Sequence, residues 1–112
     1  MRSTQAHHEF KARVRVWAEK LDVQVNVITL RAMSNKWASC STAGNLTFNT
    51  QLLELDDDVA DYVIVHELMH FFVPNHGRLW KSLMRAHIGE YEALDVKLRR
   101  IHSASLMEAP VQ

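Results

Sequence analysis

Within His66-Glu67-Leu68-Met69-His70 two imidazoles stand four positions apart, with a carboxylate directly after the first. On an α-helix, residues four apart differ by about 40° in direction and about 6 Å along the axis, so both rings reach a single tetrahedral ion. Glu67 leans to the side of that pair, where its carboxylate takes a proton from water polarised by the ion instead of binding the ion itself. Zinc lowers the pKa of such water to about 7, and a neighbouring carboxylate completes the activation. This is chemistry for hydrolysing an amide.

A catalytic zinc site takes three protein ligands and leaves the fourth position for water. His76 is the best third candidate, because Pro74 stops the helix soon after His70 and the segment to Gly77 lets the chain fold back towards the same face. Its rival is Glu90, on a later helix, since a downstream helical glutamate is another way to close such a triad. Donors near the developing oxyanion are sought among Asn75, Arg78, His87 and Tyr91, with no ground for choosing between them.

These residues need a scaffold. Asp56-Asp57-Asp58 supplies an N-cap and negative charge where a helix begins, which predicts a helix from there through His70 to about Val73. Its Ile64, Leu68, Phe71 and Phe72 face the core and its histidines a cleft. Upstream, Phe10, Val14, Trp17 and Leu21 recur at helical spacing from about Glu9 to Leu21. Val23, Val25 and Val27 alternate with polar residues and lead into Ile28 and Leu30, the pattern of a strand. Trp37 to Ser41 and Leu46 to Asn49 read as two further strands, joined as a hairpin through Ala43-Gly44-Asn45. Arg78 to about Ile88 and Glu90 to about Ile101 read as two more helices, broken at Gly89. The expected architecture is therefore α+β: about three strands packed against the active-site helix, with one helix before and two after. Residues 1–5 and 104–112 are expected to be loose tails.

With 112 residues and 47% apolar composition the chain suits one domain, 1–112. Its 13 basic and 13 acidic side chains cancel, so no overall field draws it to nucleic acid or an anionic membrane. No stretch resembles a secretory signal or approaches the roughly 18 apolar residues of a membrane span. The single cysteine, Cys40, excludes an internal disulfide and fits a reducing compartment, hence a cytoplasmic location. No neighbouring ligand supports a reactive Cys40, which is expected as a small packed residue.

Three blocks resemble the YgjP-like metallopeptidase family, and more distantly the WLM and SprT-like zinc proteases. They are Arg31 through Trp37-Ala38-Ser39-Cys40-Ser41, then Asp61-Tyr62-Val63-Ile64-Val65-His66-Glu67-Leu68-Met69-His70, then Asn75-His76-Gly77-Arg78-Leu79-Trp80. The resemblance implies His66, His70 and His76 as zinc ligands, Glu67 as general base and a zincin-like core with one strand lining the cleft. Ala38 stands where the family usually has glycine and Leu79 where it often has phenylalanine, departures that touch the cleft but no metal-binding group. Typical members carry extra N-terminal sheet, so the chain reads as a minimal version or a fragment.

The expected function is a zinc peptidase acting on peptides or proteins. The alternatives are a metal-dependent hydrolase of a substrate such as a nucleoside triphosphate, and a non-catalytic module stabilised by zinc. A substrate peptide is expected to add to a sheet edge, with Leu46 to Asn49 the candidate edge. Trp37 and Trp80 wall the pocket or fill the core, and Tyr62, one turn before His66, is placed to support a ligand.

Overall fold

Phe10, Val14 and Ala18 form an apolar line along α1 (Arg2–Leu21), and all three are buried. The structure, a computed structural model, describes residues 2–104 other than Pro74. The helix starts well before the apolar repeat: residues 2–5, expected to be loose, are helical. No glycine or proline interrupts that stretch, and Gln5 donates to the Glu9 carboxylate one turn on, at 3.3 Å. Of the other expected tail, Ala104 closes the last helix and residues 105–112 lie outside the described residues.

At its C-terminus α1 turns through Asp22 in the left-handed region, φ 57°, and the Val23 amide returns to the Ala18 carbonyl at 2.8 Å. This turn uses up the first part of the expected strand. Val23 to Asn26 alternate in burial without forming a ladder, Val27 is exposed, and β1 is confined to Ile28–Arg31. β2 (Ala38–Cys40) and β3 (Leu46–Asn49) follow, joined by the expected turn, with Gly44 at φ 91°. β3 pairs parallel with β1, Ile28 opposite Leu46, and antiparallel with β2, Ala38 opposite Phe48. The order β1-β3-β2 puts β3 in the centre, so Leu46 to Asn49 is not an edge. A central strand is covered on both sides, which is why Leu46, Phe48 and Asn49 are all buried. The edge beside the next helix is β2.

A short 3-10 helix, Thr50–Glu54, leads into α2 (Asp57–Met69). Every residue of α2 from Tyr62 to Met69 is buried, His66 and Glu67 included. Such a helix has no solvent face and must be enclosed. α1, β2, α3 (Arg78–Ile88) and α4 (Tyr91–Ala104) enclose it. The helix ends at Met69, before the predicted Val73, with the chain tightening into turns in which the Phe71 amide bonds to Leu68 and that of Phe72 to Met69.

Polar ties hold α2 from two sides. The Asp61 carboxylate accepts from Arg13 Nε at 2.7 Å and from Trp17 Nε1 at 2.9 Å, fixing α1. Tyr62 Oη donates to Asp95 at 3.0 Å, Asp95 also accepts from Arg99 Nε at 2.8 Å, and Lys97 pairs with Asp56, fixing α4. Asp56 thus spends its side chain on Lys97 and caps no amide of α2. Residues placed on so constrained a helix have their directions set by the fold.

Candidate metal centre

His66 and His70 leave α2 on one side, and the segment after the helix carries His76 back to meet them. One ligating atom from each of the three lies within 4.8 Å of the other two. Ring centroids are 5.1 Å apart for His66 and His70, 4.9 Å for His66 and His76, and 5.6 Å for His70 and His76. Burial is graded: His66 is buried, His70 half-buried and His76 exposed, so the cluster is closed at its base and open on one side. Glu90, the rival third residue, is exposed and lies outside the cluster.

Trp80 frames the open side. Its indole stacks on His76, centroids 4.5 Å apart and 29° between planes, and meets His66 edge-on at 5.4 Å. Trp80 is buried and braces two imidazoles at once, a role that its spacing of four from His76 signalled only in retrospect. Trp37, by contrast, is a core residue. Tyr62 supports His66 by ring contact at 5.9 Å, while its hydroxyl is committed to Asp95, which together with burial pushes its pKa well above the usual phenol value. Tyr91 stacks against Tyr62 at 6.4 Å and meets Trp80 edge-on at 5.5 Å, completing an aromatic shell. Of the other oxyanion candidates, Asn75 accepts from the Gly77 amide, His87 sits against Trp17, and Arg78 is exposed.

Glu67 is fully buried, and neither carboxylate oxygen has a hydrogen-bond partner among the described residues. Its Oε2 lies 3.5 Å from His66 Nδ1 and 3.9 Å from His70 Nε2. Burial pushes its pKa up to about 7, against the opposing pull of the His70 and Lys36 charges. His76 is displaced the other way: desolvation, then repulsion from His66 and His70, hold it below the ordinary imidazole value. Three imidazoles beside a buried carboxylate fit a divalent cation, since imidazole nitrogens are good donors to such an ion and a buried charge needs a counterion. Cys40, expected as packed, is exposed: it shares Ala38's side of β2 but ends the strand beside the hairpin turn. Although the residue is exposed, partial desolvation of its thiol, and then the charge of Glu67, raise its pKa, which makes it a poor nucleophile.

A profile described as YgjP-like, metallopeptidase domain, matches residues 1–101. The chain belongs to the YgjP-like metallopeptidase family. The match extends well beyond the three sequence blocks, over all the elements described above. Among solved structures the chain is similar to the metallopeptidase zymogen of Pyrococcus abyssi abylysin, at 18% identity and TM-score 0.69, over 89% of this chain and 98% of that one. It is also similar to the metallopeptidase zymogen of Methanocaldococcus jannaschii jannalysin, at 27% identity and TM-score 0.70, over 85% and 96%. No curated protein matches the chain. The zincin-like α+β fold and a metal-dependent peptidase activity follow from family and neighbours together.

The buried carboxyl makes a prediction for the metal-free protein. Its pKa of about 7, against 4.5 for an ordinary glutamate, means that the folded state keeps a proton that the unfolded chain has lost between those values. The stability contributed by the neutral form is complete below pH 4.5 and is lost as pH rises through 7. The loss is expected to total about 3 kcal/mol. It is measured as the difference in urea unfolding free energy between chelator-treated wild type and Glu67→Gln from about pH 5 to pH 8. A difference that is flat with pH overturns the assignment.

Proposed function

We propose that the protein is a zinc peptidase, a single domain over 1–112 acting in the cytoplasm, in which His66, His70 and His76 hold the ion and Glu67 is the general base. The observation that carries this reading is the convergence of three imidazoles beside a fully buried carboxylate that no hydrogen bond among the described residues satisfies. Three nitrogen donors with one open side match the ligand count of catalytic zinc. When bound, the ion acts as a Lewis acid that polarises the scissile carbonyl and lowers the pKa of water to about 7. Glu67, next to His66 and enclosed by α2's neighbours, takes the proton from the attacking water and delivers it to the departing amine nitrogen. Trp80 keeps the exposed His76 ring in place by stacking, and the outer face of β2 offers main-chain groups to an extended peptide. A lone, exposed Cys40 suits a reducing compartment, which supports the cytoplasmic placement.

Metal removal tests the function directly. Dialysis against a chelator is expected to abolish cleavage of a mixed peptide pool read by mass spectrometry, and about one equivalent of zinc per chain is expected to restore it. Cleavage that survives at full rate with no metal in the sample would falsify the reading. Restoration by another divalent ion but not by zinc would keep the peptidase and replace the metal.

A further inference from the structure

From the last residue of β1 towards β2 the chain runs Arg31-Ala32-Met33-Ser34-Asn35-Lys36, with two cations, two polar side chains and no acid. It borders a hollow of about 240 Å³ edged by Arg31, Ser34, Asn35, Lys36 and Ser39. We propose that this hollow is a carboxylate-binding subsite of the peptidase cleft, so that the protein prefers peptides presenting a carboxylate at a fixed distance from the scissile bond. The proposal rests on the peptidase reading above and specifies its substrate.

The hollow is built from below. Asn49, only 2% exposed, uses both amide hydrogens on the link, donating to the Met33 carbonyl at 2.9 Å and the Lys36 carbonyl at 3.0 Å. Its Oδ1 accepts from the Gln51 amide at 3.0 Å. A buried side chain with every group engaged fixes the backbone course of the link, and with it the spacing of the residues around the hollow. This shape is there before a ligand arrives, which lowers the ordering cost of binding.

The cations are also free to act. Arg13, Arg85, Lys97 and Arg99 each pair with a carboxylate, whereas Arg31 and Lys36 form no ion pair among the described residues. In a chain of zero formal charge, two unneutralised cations at one polar hollow make a local anion field. A guanidinium fork, an ammonium and seryl hydroxyls are donors suited to a carboxylate.

Position ties the hollow to the reaction. Ser39 belongs to β2, the edge strand packed against the helix that carries Glu67. A peptide laid along β2 passes Ser39, and its side chains on Ser39's face of the strand point towards the hollow. The carboxylate comes either from an acidic side chain or from the free C-terminus of the substrate, and both have the same chemistry.

Three peptides of one sequence separate these sources when assayed on the zinc-loaded protein. One is neutral and amidated, one has a free C-terminal carboxylate, and one is amidated with a glutamate flanking the cleaved bond. A carboxylate-bearing peptide is expected to exceed the neutral one about tenfold in kcat/KM, and whichever does so identifies the source. The Arg31→Gln/Lys36→Gln double variant is expected to bring that ratio to about one, and rising salt to erode it in the wild type. Lys36→Glu provides a second variant and is expected to invert the ratio. A wild-type ratio near one, or a preference that survives the double variant, overturns the proposal. So does inhibition by inorganic triphosphate that is stronger than by the carboxylate peptide and lost in the double variant, which assigns the hollow to phosphates. No hydrolysis of any of the three peptides fails the peptidase reading itself, and the subsite with it.

Discussion

Replacing Glu67 with glutamine is expected to slow peptide hydrolysis by about 10³-fold while zinc content stays at the wild-type level. The argument combines shape and charge. Glutamine fills the same volume in a position that is fully buried, so the packing of α2 is kept. It removes the carboxylate beside His66 that is assigned as the proton acceptor. Glu67 Oε2 lies within 3.9 Å of nitrogens on both helical histidines, which puts the carboxylate at the metal face without making it part of the three-imidazole set. Loss of a base therefore shows in kcat, and loss of a ligand would show in metal affinity. Metal analysis beside single-turnover kinetics separates the two. A variant with wild-type turnover ends the role of Glu67 as base. A variant stripped of zinc makes Glu67 part of the ion's coordination. The variant also removes a carboxyl that burial alone holds near 7, so at alkaline pH its metal-free form is expected to be more stable than wild type, and misfolding cannot mimic the result.

Most of this site was legible because its information is local. The i, i+4 histidines, the adjacent glutamate and the acidic start of α2 lie within fifteen consecutive residues, Asp56 to His70, and a helix converts that spacing into geometry without help. The helices after Gly77 and Gly89 were legible for the same reason, since each begins at a backbone break and carries a 3.6-residue repeat. What failed was non-local. The sheet order depends on β1 reaching past the β2 hairpin to pair in parallel with β3, and nothing in the alternation of Leu46 to Asn49 distinguishes a centre from an edge. The valine alternation at Val23 to Val27 looked like strand, but the return of the chain from α1 occupies it.

The same distinction explains the residues that sequence reading passed over. Asn49 was read only as the last residue of a strand; its importance comes from carbonyls 13 and 16 positions upstream. Trp80 looked like core and is buried like core, yet its faces meet two histidines from different segments. Cys40 was misjudged because a three-residue strand ends at it, leaving one side of the position without a neighbour. In each case the residue type was informative and the partner was not, because the partner is supplied by packing between elements.

Converting His76 to alanine carries the second large expectation: zinc affinity is expected to fall by more than the roughly 10- to 100-fold that changes outside the coordination sphere produce. Two histidines on one helix can grip an ion from a single side only. His76 closes the set from a separate segment, with its ring 4.9 Å from His66 and 5.6 Å from His70. Its pKa is held below the usual imidazole value, so at neutral pH it offers an unprotonated nitrogen and gives up no proton on binding. Stacking by Trp80 orients that ring before the ion arrives. Affinity is read by competition with a chromophoric chelator, with Glu90→Ala as the paired control. Glu90 is exposed and stands apart from the histidines, so its replacement is expected to leave zinc affinity within about twofold. The reverse outcome, with binding intact in His76→Ala and lost in Glu90→Ala, would make the third ligand a carboxylate. The imidazole cluster would then be a pair of ligands with a bystander, and the third donor would come from just before the start of α4 instead of from the turn after α2.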